Sequence, residues 1–333
     1  MMVENSTPML LALFVGSGAA VWLAGAPLAR STDTIAARFG LSQALGGLLL
    51  LAVATNLPEA AIVVAAAVRG DLSLAVGNLL GGVAAQSAVL IVIDRFGVKG
   101  GAPLATQAAT PALQVEALLV MAMMAATALG AHVATASPST PDVGDFLIPL
   151  VWVAGVAAIA RLRPRSDNQR AATVAPFKSA HYAVFALASL ATLAGGVGLE
   201  AAGNALAVNW GIDGVLFGGT ILAAATSLPE VTTGLAAARQ GEAELAASDI
   251  IGGNAFLPVL LPVASLLAGR TAFREVGPDA LTLCATGVLM TAAFAASLAA
   301  RPSQRLLGVG PEAGAMLASY VVGMVILARL PAC

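Results

Sequence analysis

Ala54-Thr55-Asn56-Leu57-Pro58-Glu59 returns 171 positions later as Ala225-Thr226-Ser227-Leu228-Pro229-Glu230. Each copy sets a carboxylate and a proline inside a long apolar run. An ionisable side chain at membrane depth is costly and marks function by default. Proline brings no N–H, so the carbonyl four residues earlier loses its helical partner. A bound cation satisfies both the carboxylate and the freed carbonyl.

The likeness between the two regions is longer than the hexapeptide. Without a gap, Leu41 to Phe96 falls on Ile212 to Leu267, with Gly47 on Gly218, Gly70 on Gly241, Asp71 on Glu242 and Gly81-Gly82 on Gly252-Gly253. A repeat displaced by half the chain predicts a transporter of two related halves, its site lying where broken helices meet near the bilayer midplane.

Composition sets the solvent. With 59% hydrophobic and 10% charged residues and a mean hydropathy of +0.90, the chain is far from the roughly 25% charged residues of a soluble domain. It reads as an all-α integral membrane protein whose partners are the lipid bilayer and small inorganic cations. The 35 glycines allow helices to approach closely in lipid. A net charge of -2 without a basic patch argues against nucleic acid. Cys284 and Cys333 show no metal spacing and receive no role. The first apolar run, with Glu4 before it and no convincing cleavage site, reads as a spanning helix.

Ten apolar runs are long enough to span, at about 8 to 29, 41 to 68, 72 to 93, 111 to 132, 146 to 161, 181 to 201, 213 to 238, 245 to 268, 279 to 299 and 313 to 329. The third and eighth are expected to be interrupted by glycines. With the N-terminus outside, the inner loops hold Arg30, Arg38, Arg95, Lys99, Arg161, Arg163, Arg165, Arg170, Lys178, Arg239, Arg301 and Arg305, twelve of the sixteen basic residues. The positive-inside rule therefore places both termini outside a cell membrane, the inner one in a bacterium. Five spans per half is odd, so the second half enters from the opposite side. The predicted fold is ten transmembrane helices in two inverted five-helix repeats. Residues 1–165 and 181–333 form the repeats, and 166–180 a cytoplasmic linker.

Thr55 and Glu59 are four apart, as are Thr226 and Glu230, so hydroxyl and carboxylate share a helix face. Two carboxylates, two hydroxyls and carbonyls such as those of Ala54 and Ala225 supply the six to eight oxygens that calcium takes. Oxygen-only ligands favour a hard cation over zinc or copper. The blander explanation, a neutral hydrogen-bonded glutamate beside a simple kink, loses ground because the whole arrangement is duplicated.

These segments resemble the two alpha repeats of the sodium/calcium exchanger family. The resemblance rests on Ala52-Val53-Ala54-Thr55-Asn56-Leu57-Pro58-Glu59 with Gly77-Asn78-Leu79-Leu80-Gly81. In the second half it rests on Ala223-Ala224-Ala225-Thr226-Ser227-Leu228-Pro229-Glu230 with Ser248-Asp249-Ile250-Ile251-Gly252-Gly253-Asn254. It implies an antiporter in which Glu59 and Glu230 bind calcium, Thr55 and Thr226 flank them, and backbone oxygens near Ala52 and Ala223 serve sodium. Where the family commonly carries Gly-Ser-Asn-x-x-Asn, this chain reads Gly81-Gly82-Val83-Ala84-Ala85-Gln86 and Gly252-Gly253-Asn254-Ala255-Phe256-Leu257. Both serines are lost, and the last polar position becomes Gln86 in one half and Leu257 in the other.

Asn78 and Asp249 line the pathway or bridge between helices, and Asn56 and Ser227 turn toward a neighbouring helix. Glu116, Asp94 and Glu200 lie near expected span ends, where solvent or a Lys or Arg can reach them, and are read as interfacial. His132 and His181 lie at helix ends on opposite sides, which argues against a joint metal site. The expected function is calcium/sodium exchange by alternating access, with no cofactor beyond the transported ions. The first alternative is calcium/proton exchange, since two close carboxylates without a divalent ion repel and one can hold a proton that the ion displaces. The second is a membrane protein that binds ions or acts as a scaffold without transport. No nucleophile-base pair, zinc motif or nucleotide loop supports an enzyme.

Overall fold

In the computed structural model of the chain, residues 6–38, 50–136, 141–162 and 180–330 are described. Among them the secondary structure is helical, apart from one bridge between Leu306 and Val309. Eight helical stretches are long and apolar enough to cross a membrane: Thr7–Thr32, Leu72–Phe96, Pro111–Ala134, Val143–Arg161, His181–Trp210, Gly214–Arg239, Ala243–Ala268 and Pro278–Ala300. Of the ten expected spans, the second is described only from residue 50 onward. The tenth, Glu312–Leu327, has 16 residues, about 24 Å of helix against a hydrocarbon core of about 30 Å. The expected linker, apart from Ala180, lies outside the described residues.

In chain order the elements are α1 (Thr7–Arg38), α2 (Ala52–Thr55), α3 (Leu57–Arg69), α4 (Leu72–Phe96), α5 (Leu104–Gln107), α6 (Pro111–Ala136), α7 (Val143–Arg161) and α8 (Ala180–Trp210). Then follow α9 (Gly214–Phe217), a π-helical turn (Gly218–Leu222), α10 (Ala223–Thr226), α11 (Leu228–Arg239) and α12 (Ala243–Phe256). After a 3-10 turn (Leu257–Val259) come α13 (Leu260–Ala268), α14 (Pro278–Ala300) and α15 (Glu312–Leu327).

Contacts recur under the 171-residue shift. α3 packs on α8 as α11 packs on α1; α4 packs on α14 as α12 packs on α6; α6 pairs with α7 as α14 pairs with α15. The most apolar stretch of α4 is 83% buried, whereas that of α7 is 17% buried. α4 thus lies at the centre, and α1, α7 and α8 present side chains such as Leu23, Leu150, Leu187 and Leu190 outward.

The glycines act differently from the expectation. α4 runs unbroken through Gly77, Gly81 and Gly82. A mid-helix glycine costs only about 1 kcal/mol relative to alanine, and here it permits close packing. A β-carbon at Gly77 would run into the backbone of Val215, and one at Gly81 into that of Gly219. The eighth span does break, but at Leu257-Pro258, where the proline ring enforces a 3-10 turn.

The outer helices meet the motif prolines through glycine in both halves. A β-carbon added at Gly25 of α1 would lie 3.0 Å from Cα of Pro229, and one at Gly196 of α8 would lie 2.8 Å from Cα of Pro58. Gly25 and Gly196 are themselves 171 apart.

Candidate cation site

Both motif helices are interrupted in the same way. A π-helical turn precedes each four-residue segment, over Gly218–Leu222 before α10 and at residues 50–51 before α2. The chain then leaves helical geometry at Asn56 (φ -85°, ψ 16°) and Ser227 (φ -78°, ψ 1°), and restarts with proline in the first turn of α3 and α11. Proline is tolerated there because a first-turn N–H has no intrahelical partner to lose. The consequence falls on Ala54 and Ala225, whose carbonyls have no N–H at Pro58 and Pro229 to accept from. π-helical turns inside helices recur at functional sites for this reason: they turn backbone groups out of the ladder.

The side chains at the breaks fold back. Asn56 Nδ2 donates to the Ala52 carbonyl at 2.6 Å and Ser227 Oγ to that of Ala223 at 2.7 Å. Those carbonyls also accept the backbone N–H of Asn56 at 3.1 Å and of Ser227 at 3.0 Å. Ala52 and Ala223 are therefore saturated in this conformation.

The two halves then cross-link through their motif threonines. Thr55 Oγ1 lies 3.2 Å from Asp249 Oδ1, and Thr226 Oγ1 lies 3.4 Å from Asn78 Oδ1. Each bond is the other's image under the shift, with Asp249 in place of Asn78. Asn78 and Asp249 therefore bridge helices of opposite halves. Asp249 has a further donor, Thr233 Oγ1 at 2.5 Å. Isoleucine occupies the matching position in the first half, and Asn78 Nδ2 has no partner. Thr233, absent from the sequence expectation, thus joins the candidate cluster. Its signal was its place three residues after Glu230 and seven after Thr226, on the same helix face.

Glu59 and Glu230 are both fully buried, and Thr55, Asn56, Asn78, Gln86, Thr226 and Asp249 are as inaccessible. Neither oxygen of Glu59 has a hydrogen-bond partner within the protein, and Glu230 Oε2 has none. Thr226 and Gln86 are the polar side chains that approach Glu59, and Thr55 approaches Glu230. The carboxyl groups near Glu230 are those of Glu59 and Asp249. Gln86 Nε2 donates to Asn56 Oδ1 at 3.0 Å and Glu230 Oε1 at 3.3 Å, while Gln86 Oε1 is unpartnered. An unpaired buried polar atom costs about 1–3 kcal/mol, more when charged. Four such oxygens lie around two carboxylates, a cluster that a cation, protons or water would satisfy.

The positions that depart from the resemblance face one another across the halves. A β-carbon at Gly253 would lie 2.6 Å from Asn56 Nδ2 and 3.2 Å from Gln86 Oε1. At Gly82 it would lie 3.0 Å from a methyl of Leu257. The larger side chain at the last position of each motif, Gln86 or Leu257, thus packs where a serine on the opposite helix is missing. The amide of Gln86 reaches Glu230, while Leu257 packs on Gly82 in the other half.

Three acids expected at interfaces are buried. Asp94 pairs with Arg305 at 3.2 Å and accepts from the backbone of Leu104 and Gly310. Glu200 is fully buried and pairs with Arg69. Glu116 is fully buried and accepts from Ser248 Oγ at 2.7 Å. An arginine reaches Asp94 and Glu200, as expected near span ends, whereas the serine partner of Glu116 is not revealed by chain position.

The family profile described as sodium/calcium exchanger protein matches residues 9–159 and 180–329. CaxA of Alkalimonas amylolytica, named as an antiporter, is 26% identical over 298 residues, 87% of this chain and 89% of that protein. The inner membrane protein YrbG of Escherichia coli (strain K12) is 26% identical over 232 residues, 67% of this chain and 69% of its own. Among solved structures, the sodium-calcium exchanger NCX_Mj superposes with a TM-score of 0.64 at 17% identity, over 98% of this chain and 100% of that one. The H+/Ca2+ exchanger CAX superposes with a TM-score of 0.69 at 14% identity, over 97% and 82%. At such identities the superpositions speak for the fold alone, whereas the profile spans both halves of the sequence. The chain belongs to the sodium/calcium exchanger family, whose members are membrane antiporters and not enzymes.

Proposed function

We propose that this antiporter exchanges calcium for sodium around a single central site whose ligands are Glu59 and Glu230, assisted by Thr55 and Thr226. The observation that carries it is the set of buried oxygens without a donor: both of Glu59, Oε2 of Glu230 and Oε1 of Gln86. Two carboxylates balance a divalent charge, and the carbonyls of Ala54 and Ala225 extend the oxygen shell toward the six to eight that calcium takes. Asn78 and Asp249 position the threonines. Asn56 and Ser227 fix the two breaks, and sodium at the Ala52 and Ala223 carbonyls would have to displace the side chains now bonded there.

Ten spans in two inverted five-helix repeats, with both termini outside the cell membrane, fit this mechanism. The image-related contacts of the halves support that arrangement. Alternating access follows if α1 and α8 move together over the motif helices, since both meet the motif prolines through glycine. Helix-terminal breaks around a fixed midplane site, with bundles moving past it, suit secondary transport.

Proton coupling is the second possibility, and the packing at Gly82 and Gly253 favours it. The amide of Gln86 and the methyls of Leu257 fill the flanks where neutral oxygens for sodium would sit. Burying a monovalent ion with an incomplete shell leaves several kcal/mol of desolvation uncompensated, so weak sodium coupling is expected. Isotopic calcium uptake into vesicles tests both. Uptake driven by sodium at fixed pH supports sodium exchange; uptake that follows an imposed pH gradient without sodium supports proton exchange; uptake with neither gradient response defeats the exchange mechanism.

A further inference from the structure

One buried carboxylate has no part in the duplicated site. Glu116, in the second turn of α6, is fully buried. Its Oε2 accepts from Ser248 Oγ at 2.7 Å, and its Oε1 has no hydrogen-bond partner. Four residues before Ser248, on the same face of α12, Glu244 accepts from Thr110 Oγ1 at 2.9 Å. Two bonds therefore cross between α12 and the start of α6, and they bring the two carboxylates within electrostatic reach of each other.

The cluster has a direction. Glu244 and Thr110 are half-buried, whereas Glu116 and Ser248 are fully inaccessible. Its oxygens thus run from the helix ends toward the interior, and the residue after Ser248 is Asp249, which holds Thr55 and Thr233 beside Glu230. Of the guanidiniums near this end, Arg301 donates to the carbonyl of Ala109 at 3.3 Å, Arg239 to that of Phe96 at 3.4 Å, and Arg305 pairs with Asp94. Under the 171-residue shift the four positions become Gly287, Leu281, Ser73 and Gly77, so no image of the cluster exists in the other half. It belongs to one end of the molecule only.

We propose that Glu116, Glu244, Ser248 and Thr110 form a second binding site, for a hard divalent cation, at the end of the α6–α12 interface. Two carboxylates match the charge of such an ion, and two hydroxyls add neutral oxygens of the type it prefers. The partnerless Oε1 of Glu116 is the ligand that the present hydrogen bonds leave unused. Only the choice of calcium as probe rests on the exchange mechanism above. An ion held here stands one residue along α12 from the Asp249 bridge, on the way between that end of the protein and the central carboxylates.

Equilibrium binding of radioactive calcium to the purified full-length protein tests the site. The Glu59→Gln/Glu230→Gln double variant is expected to keep a bound calcium ion, and adding Glu116→Gln or Glu244→Gln should weaken that binding by about tenfold or more, the equivalent of one decade in Kd. Thermal melting accompanies each variant. Glu244→Gln, at a half-buried position, keeps the test decisive should Glu116→Gln not fold. If the intact protein binds calcium and the central double variant binds none, the second site is overturned while central exchange stands. Binding to the double variant that neither Glu116→Gln nor Glu244→Gln reduces overturns it as well. Calcium uptake by the same double variant reports separately on the central site, since undiminished uptake would remove Glu59 and Glu230 from the mechanism without touching the second site.

Discussion

At the residue scale, the central carboxylates are distinguished by what surrounds them rather than by their own chemistry. Glu230 receives an amide hydrogen from Gln86, while the position matching Gln86 in the other half is Leu257, which has nothing to donate. Each substitution leaves a bound divalent ion with one balancing carboxylate instead of two, so Glu59→Gln and Glu230→Gln should each lower calcium uptake by at least about a hundredfold. Both variants should melt as the parent does, because amide and carboxylate have the same shape. Undiminished uptake in either would move the site elsewhere. Gly253→Ser alone is expected to lower the melting temperature, since its side chain would press on Asn56 and Gln86, and overpacking costs about 1–3 kcal/mol. Combined with Gln86→Asn, Gly82→Ser and Leu257→Asp, the same change makes room and restores oxygens. That variant should show steeper sodium dependence than the parent at constant pH.

At the scale of elements, the proposed site depends on helices that are incomplete. Pro58 denies the Ala54 carbonyl its partner and holds the break at Asn56 open. Pro58→Ala supplies an N–H and lets α2 and α3 join into one helix, in which a proline would cost about 3 kcal/mol. Calcium uptake should fall while the melting temperature holds or rises; a fall in both would mean that the break is structural only. The glycine contacts with the prolines make a related test. Gly196→Ala sets a methyl against Pro58, and Gly25→Ala does the same against Pro229. If α1 and α8 slide over the motif helices, each variant should reduce the maximal rate of uptake with little change in the calcium concentration at half-saturation. An unchanged rate in both would assign those glycines to packing alone.

At the scale of the whole molecule, the halves are related by contact as well as by sequence, and their proposed opposite orientation makes a statement about sidedness. With Cys284→Ala and Cys333→Ala as background, Lys99→Cys should resist a membrane-impermeant maleimide applied from outside, and Arg274→Cys should react with it. Both are exposed. The reverse pattern would invert the topology, and reaction of both would break the odd number of spans per half. The Glu116 cluster adds an asymmetry to this duplicated plan, because it stands at one end alone.

Much of this was legible in the chain. Composition dictates a lipid solvent, and in lipid every backbone group must be bonded within the segment, which leaves helices for so apolar a sequence. The spacing of Thr55, Pro58 and Glu59, repeated at Thr226, Pro229 and Glu230, dictates where those helices break and which side chains share a face, because helical periodicity is local. Partnership across helices is not local, and only the tertiary structure decided it. Thr55 reaches Asp249, Gln86 reaches Glu230, and Leu257 covers Gly82 through contacts between segments more than 140 residues apart. In the sequence Glu116 and Glu200 fall near the ends of apolar runs and so resemble interfacial acids, yet α8 continues to Trp210 beyond Glu200, and Ser248 and Arg69 partner the two buried carboxylates. Gly81 looks like a helix breaker by propensity, and α4 nevertheless passes through it intact. Close packing against Gly219 outweighs about 1 kcal/mol of intrinsic preference.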